Sequence, residues 1–188
     1  MYSQNDEEAY ILKHLEHLKT GRLLDIGAND GRYLSNSLAL IERGWSGVLV
    51  EANPLTFAKL VENHLGHPNL TLVNAAIGPR WKLAKFWTST ADGGRPDPSA
   101  ALSTTESNQR QARAGSGQFR DPFYVPMVPL EALLDAFSGP FDFISIDTEG
   151  TSHVLFLHFP LASIQPSVVC VEHDGYHELC RAHARRFG

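Results

Sequence analysis

An apolar strand running into two closely spaced glycines, Leu23-Leu24-Asp25-Ile26-Gly27-Ala28-Asn29-Asp30-Gly31, leaves this chain few folds to choose from. Glycines at a strand end allow a tight turn and let a ligand come close to the backbone. A strand–turn–helix unit of this kind belongs to α/β architectures. The rest of the sequence repeats the unit. Arg22–Ile26 reads as a strand, 33–43 as a helix, 47–50 as a strand, Pro54–His64 as a helix opened by proline, and 70–77 as a third strand. Strands alternating with helices imply right-handed crossovers and a mostly parallel sheet. Strands that are apolar throughout predict a sheet covered by helices on both faces.

The flanks fit the same scheme. Residues 6–19 carry Ile11, Leu12, Leu15 and Leu18 at helical spacing, with acids in the first turn. Beyond 79 the pattern lapses. Residues 83–88 read as an extra strand, and 90–118 are rich in Gly, Ser, Pro, Ala and Gln. That stretch is expected to be a flexible loop, either a lid or an insertion without a role. Order resumes with a strand at 125–128, a helix at 129–137, a strand at 141–146, a helix at 151–159, a strand at 167–171 and a helix at 176–187. The sequence shows no internal repeat and no second domain, so residues 1–188 read as one domain.

Composition narrows the partners. The net charge of −5 provides no basic footprint for nucleic acid. No apolar run approaches the roughly 20 residues of a membrane span. The polar, acidic N-terminus lacks the basic start and apolar stretch of a signal peptide. Two cysteines, Cys170 and Cys180, form no disulfide framework. The sequence is therefore expected in the cytoplasm.

The turn after the first strand invites comparison with the dinucleotide fingerprint G-x-G-x-x-G. Counted from Gly27, that motif needs glycine at 29 and 32, where this chain has Asn29 and Arg32. The middle glycine lets backbone reach a pyrophosphate. Its absence argues against NAD or FAD and favours S-adenosylmethionine, whose ammonium and sulfonium suit a carboxylate such as Asp25. The helix N-terminus expected after Gly31 is a second anchor, for the methionine carboxylate. Glu51, followed by Ala52 and Asn53, ends the second strand 24 residues past Gly27. An acid there accepts hydrogen bonds from ribose hydroxyls. Ala75 and Ala76 close the third strand, leaving room for an adenine ring or simply ending a strand.

Two further strand ends carry polar clusters. Asp147 and Glu149 follow the fourth strand and would hold a hydroxyl, a metal or the sulfonium neighbourhood, or cap the next helix. His173, in Glu172-His173-Asp174-Gly175, is a candidate general base, and His153 a weaker one. Mg²⁺ ligation by Asp147, Glu149 and His173 stays open, with no metal required. His64 and His67 read as solvated surface, not a zinc site.

These pieces resemble the FkbM family of S-adenosylmethionine-dependent methyltransferases. The resemblance rests on residues 24–31, on Val50-Glu51-Ala52-Asn53-Pro54, on Val128-Pro129-Leu130-Glu131, on Ile144-Ser145-Ile146-Asp147-Thr148-Glu149-Gly150, and on the flanking Tyr2-Ser3-Gln4 and Val169-Cys170-Val171-Glu172. It implies a Rossmann-like class I methyltransferase fold. It also implies methylation of a hydroxyl on a sugar, lipid or natural-product acceptor. By resemblance, Asp25, Gly27, Asn29 and Glu51 contact the cofactor, Ser3 and Gln4 belong to a stretch that folds over it, and Asp147 lines the transfer site; Ala28 and Gly31 are expected in the same cradle. Two departures stand out. Ser152 occupies a position where the family usually has an acid, and the final strand pair of such folds is missing. The sheet edge left open predicts a homodimer. The rival readings are a nucleotide-dependent oxidoreductase and a non-catalytic cofactor-binding module.

Overall fold

The computed structural model describes residues 2–4, 6–91, 95–96, 103–104, 118–119 and 123–187. Its centre is a five-stranded, wholly parallel sheet. The strands are β1 (Arg22–Ile26), β2 (Ser46–Glu51), β3 (Leu70–Asn74), β10 (Phe143–Ile146) and β11 (Val168–Val171), in the order β11-β10-β1-β2-β3. The order reverses beside β1, and ligands in open α/β sheets bind outside the carboxyl ends of strands at such a switch point. The sequence expectation of an α/β, mostly parallel sheet holds. Among the described residues no strand lies beyond β11.

Alternation along each strand builds two cores. Leu24, Ile26, Val48, Val50, Ile144 and Ile146 face one side. There they pack on α4 (Leu130–Ala136), α5 (Ser152–His158), α6 (Leu161–Ile164) and Cys180 of α7 (His177–Ala184). Leu23, Leu49 and Phe143 face the other, against α1 (Glu7–His14), α2 (Leu38–Glu42) and α3 (Pro54–His64). Both faces are covered, so every strand reads as apolar. Each fully buried Leu or Ile contributes about 1.5–3 kcal/mol. No helix among the described residues is long and apolar enough to cross a membrane.

Two local expectations need correction. The helix predicted at 33–43 begins only at Leu38. Asp30 Oδ1 accepts the N–H groups of Arg32 and Tyr33, at 2.9 and 2.7 Å, and Leu34 sits at φ +55°. Ser35 Oγ then accepts from Ser37 and Leu38 and opens the short helix. Local side-chain bonds of this kind compete with helix. The glycine turn is therefore followed by an irregular loop, and no helix N-terminus faces the cavity there.

The strand predicted at 70–77 is likewise broken at Ala75. Its second part, β4 (Ala76–Gly78), leaves the main sheet and pairs in parallel with β9 (Phe123–Pro129). β9 in turn pairs antiparallel with β5 (Lys82–Ala91), forming a smaller sheet around Ala84, Phe86, Val125 and Met127. Of the stretch 90–118, expected as a loop, the structure describes the end of β5 and three short strands. These are β6 (Arg95–Pro96), β7 (Ser103–Thr104) and β8 (Gln118–Phe119), each paired with β5. The remainder lies outside the described residues, and with it the lid expectation.

Candidate active site

The carboxyl ends of the central strands are tied together one step beyond the regular ladder. Gly27 and Ala28 donate their N–H groups to Val50 O at 2.8 and 3.0 Å, Asp147 N–H to Ile26 O at 2.8 Å, and Glu172 N–H to Ile146 O at 3.0 Å. This lacing sets Glu51, Gly27, Asp147 and Glu172 side by side at one edge of the sheet. Gly27 has φ +92°, and a Cβ on it would lie 1.6 Å from Asp147 O. Only glycine lets these two strand ends close up.

Above this edge opens a cavity of about 600 Å³, within the range usual for small-molecule and cofactor sites. Of the residues singled out in the sequence, Gln4, Asp25, Gly27, Ala28, Asn29, Glu51, Ala52, Ala75, Ala76, Asp147, Glu149 and His173 line it. Gly31 and Asn53 do not. Gly31, at φ +72°, receives the buried His64 ring, whose Nε2 donates to Gly31 O at 3.3 Å. His64, expected at the surface, is thus a support for the glycine loop, and burial lowers its pKa. The Asn53 side chain caps α3 by accepting Leu55 N–H at 3.1 Å, with Pro54 in the first turn.

Glu51 is 8% exposed. Its carboxylate accepts Asn29 N–H at 3.0 Å through one oxygen and Asn53 N–H at 2.6 Å through the other. Burial pushes its pKa up to about 7, against the pull of those donors. With a further backbone hydrogen bond from Ala52, the carboxylate still has acceptor capacity for a ligand donor. Asp25 sits on the face opposite Leu24 and Ile26, hydrogen-bonded by Ser37 Oγ and by Ser145. Burial raises its pKa to about 6, and these hydroxyls hold it lower than burial alone would. Ser37 and Ser145 were not foreseen; Ser145 could have been, because it alternates onto the same face as Asp25 across the β1–β10 pairing.

The far side of the cavity is carboxylate-rich. Oxygens of Asp147, Glu149 and Glu172 lie within 4.8 Å of one another, a group able to hold a cation. Glu172 and not His173 completes it. Burial, and then the charge of Glu149, raise the Asp147 pKa, while a hydrogen bond with Glu172 opposes the rise. Asp147 Oδ1 and Asp174 Oδ1 are both buried without a hydrogen-bond partner. His173 is exposed, and its Nδ1 accepts Gly175 N–H at 3.1 Å.

Ser152, the departure from the acid expected there, is fully buried. Its Oγ accepts Thr148 N–H at 2.8 Å and lies 3.4 Å from Glu172 Oε2, to which it donates. A carboxylate thus abuts this position from β11 in place of one on α5. His153 faces the same loop, its Nδ1 3.1 Å from Asp174 Oδ2 and its ring stacked on Tyr176. It does not line the cavity. Cys170 does, but burial pushes its thiol up to about 12, which rules it out as a thiolate nucleophile at neutral pH. From the other side, Gln4 and Glu7 of the N-terminal segment close the cavity, and Tyr2 Oη donates to the Glu42 carboxylate at 3.0 Å. Phe86 reaches in from the small sheet.

Among curated proteins, none matches the chain. The sequence model of the methyltransferase FkbM domain matches residues 25–185, which takes in every central strand after the first three residues of β1 and the whole carboxylate edge. The chain belongs to the FkbM methyltransferase family.

Proposed function

We propose that the cavity binds S-adenosylmethionine and that the protein transfers its methyl group to a hydroxyl of a sugar, lipid or natural-product acceptor. The observation that carries this is Glu51. It is an acid at the end of β2, oriented by two backbone N–H groups, and it faces a cavity beside a glycine turn. Its free lone pairs suit paired ribose hydroxyls. The chemistry of the donor set fits the rest of such a cofactor. Asp25 and Asp147 suit ammonium and sulfonium charge, and Ala28, Ala52, Ala75 and Ala76 offer small, apolar walls to an adenine. A dinucleotide fits poorly, since no helix N-terminus opens onto the glycine turn and no Lys or Arg among the described lining residues meets a pyrophosphate.

When bound, the cofactor supplies a methyl group made electrophilic by its sulfonium. The protein's part is alignment, desolvation and proton removal. Asp147 is the base in this proposal. It lies on the cavity, carries an unpartnered oxygen, and burial together with Glu149 raises its proton affinity toward neutrality. Incubation with methyl-labelled S-adenosylmethionine and hydroxylated acceptors tests the reaction; the label should appear on oxygen. Asp147→Asn should lose most of the rate even at saturating cofactor, and a full rate in that variant would remove Asp147 from the base role. The outer edge of β11, with which no strand pairs among the described residues, is the proposed seam for a second copy. A monomeric mass by light scattering at high concentration would contradict it.

A further inference from the structure

The small sheet has two unlike faces. Its inner face carries Ala84, Phe86, Val125 and Met127, all buried. Side chains alternate along a strand, so the outer face falls to Trp81, Leu83 and Lys85 at the start of β5 and to Tyr124 and Pro126 of β9. Leu83 stands opposite Pro126, and Lys85 opposite Tyr124. This face is open: Leu83 is 70% exposed, Trp81 67% and Tyr124 59%. Arg80, Lys82, Lys85 and Pro126 are exposed with them. Residues 76–91 and 123–129 contain those three cations and no acid, in a chain whose net charge is −5. Apolar side chains gathered in the open and rimmed by charge mark an interaction surface.

We infer that this face docks the protein on an anionic lipid surface. Trp and Tyr rings settle at the level of the headgroups, apolar body inward and polar tip outward. Leu83 and Pro126, at the centre of the face, offer aliphatic surface to the acyl boundary, and the flanking cations meet anionic headgroups. A single-stranded nucleic acid also uses aromatic and basic side chains, but Leu83 and Pro126 give a phosphate no donor. A second copy held to the same face by a two-fold axis would set its cations against an identical set, and like-charge contacts of this kind oppose association. The inference does not depend on what occupies the cavity.

Co-sedimentation tests it, with vesicles of phosphatidylcholine alone and of phosphatidylcholine mixed with phosphatidylserine. The protein should pellet with the mixed vesicles, stay in solution with the neutral ones, and be released by added salt. Of the three tryptophans, Trp45 and Trp87 are buried, so a blue shift of the emission on mixing reports Trp81. Leu83→Ser and Lys85→Glu should each weaken partitioning by about fivefold or more. Both should melt like the parent, because neither side chain is buried. No pelleting with the mixed vesicles, equal pelleting with both kinds, or variants that partition like the parent would overturn the inference. So would a protein that ignores the vesicles and instead forms a dimer that Leu83→Ser dissociates, or retains a single-stranded oligonucleotide that Lys85→Glu releases.

Discussion

The Glu51 carboxylate accepts the backbone N–H of Asn29 at 3.0 Å, and this bond joins the end of β2 to the glycine turn that follows β1. One side chain thereby shapes the turn and presents its remaining lone pairs to the cavity. Its second oxygen, on Asn53 N–H at 2.6 Å, fixes the start of α3 as well.

Removing Glu51 should therefore do two separable things. Glu51→Ala orphans the N–H of the buried Asn53, at a cost of about 1–3 kcal/mol of folding stability. It should also abolish S-adenosylmethionine binding. Denaturant melts read the first effect and calorimetry the second. A folded variant with unchanged affinity would refute the ribose assignment.

Gly27→Ala should be more disruptive than any exposed glycine replacement. The new Cβ would sit 1.6 Å from Asp147 O, at a backbone angle of φ +92°. Left-handed backbone alone costs a non-glycine residue about 1–3 kcal/mol, and the clash adds to it. We expect a lowered melting temperature and loss of ligand binding. Gly66→Ala, which meets nothing within 4 Å, is the control and should melt like the parent.

Burial raises Asp25 from 3.8 to about 6 and Glu51 from 4.5 to about 7. Between the unfolded and folded values the native state holds more protons than the unfolded chain. The contribution of these two groups to stability is thus full below about pH 4, falls as pH rises through 6–7, and levels off above. Melts of the ligand-free protein near pH 5 and pH 8 should show this loss at the higher pH. Glu51→Gln should narrow the difference between the two, and an unaltered difference would count against a raised Glu51.

The loop after β11 is pinned to α5 through His153 and Asp174. The Asp174 side chain is only 1% exposed, and that of His153 12%. A double-mutant cycle on His153→Ala and Asp174→Asn should give a coupling of about 1 kcal/mol or more. Additive effects would mean that the 3.1 Å contact contributes nothing.

The sequence shows most of the sheet and less of the site. β1 and β10 are apolar runs buried on both faces, and a run of that kind next to turn residues has few alternatives. The late start of α2 was hidden because 33–43 keeps helical spacing, while the deciding force is local. Asp30 and Ser35 capture backbone N–H groups that a helix would need. The break at Ala75 carries no signal, since alanine neither bends nor ends a strand. It comes from the partner β9, which draws Ala76–Gly78 into another sheet. In the site, acids at strand ends were readable at Glu51 and Asp147. Glu172 stands in the same position on β11 and was overshadowed by its neighbour His173. His64 reads as surface because its partner, Gly31, lies 33 residues away and meets it only through folding.

Titration of the purified protein with S-adenosylmethionine and, in parallel, with NADH bears most directly on the cofactor assignment. We predict saturable binding of S-adenosylmethionine at one site per chain, and no heat from NADH beyond dilution. Binding of NADH with S-adenosylmethionine silent would contradict the account, because it would require the acid-lined turn after β1, with Asn29 in place of the fingerprint's middle glycine, to hold a pyrophosphate.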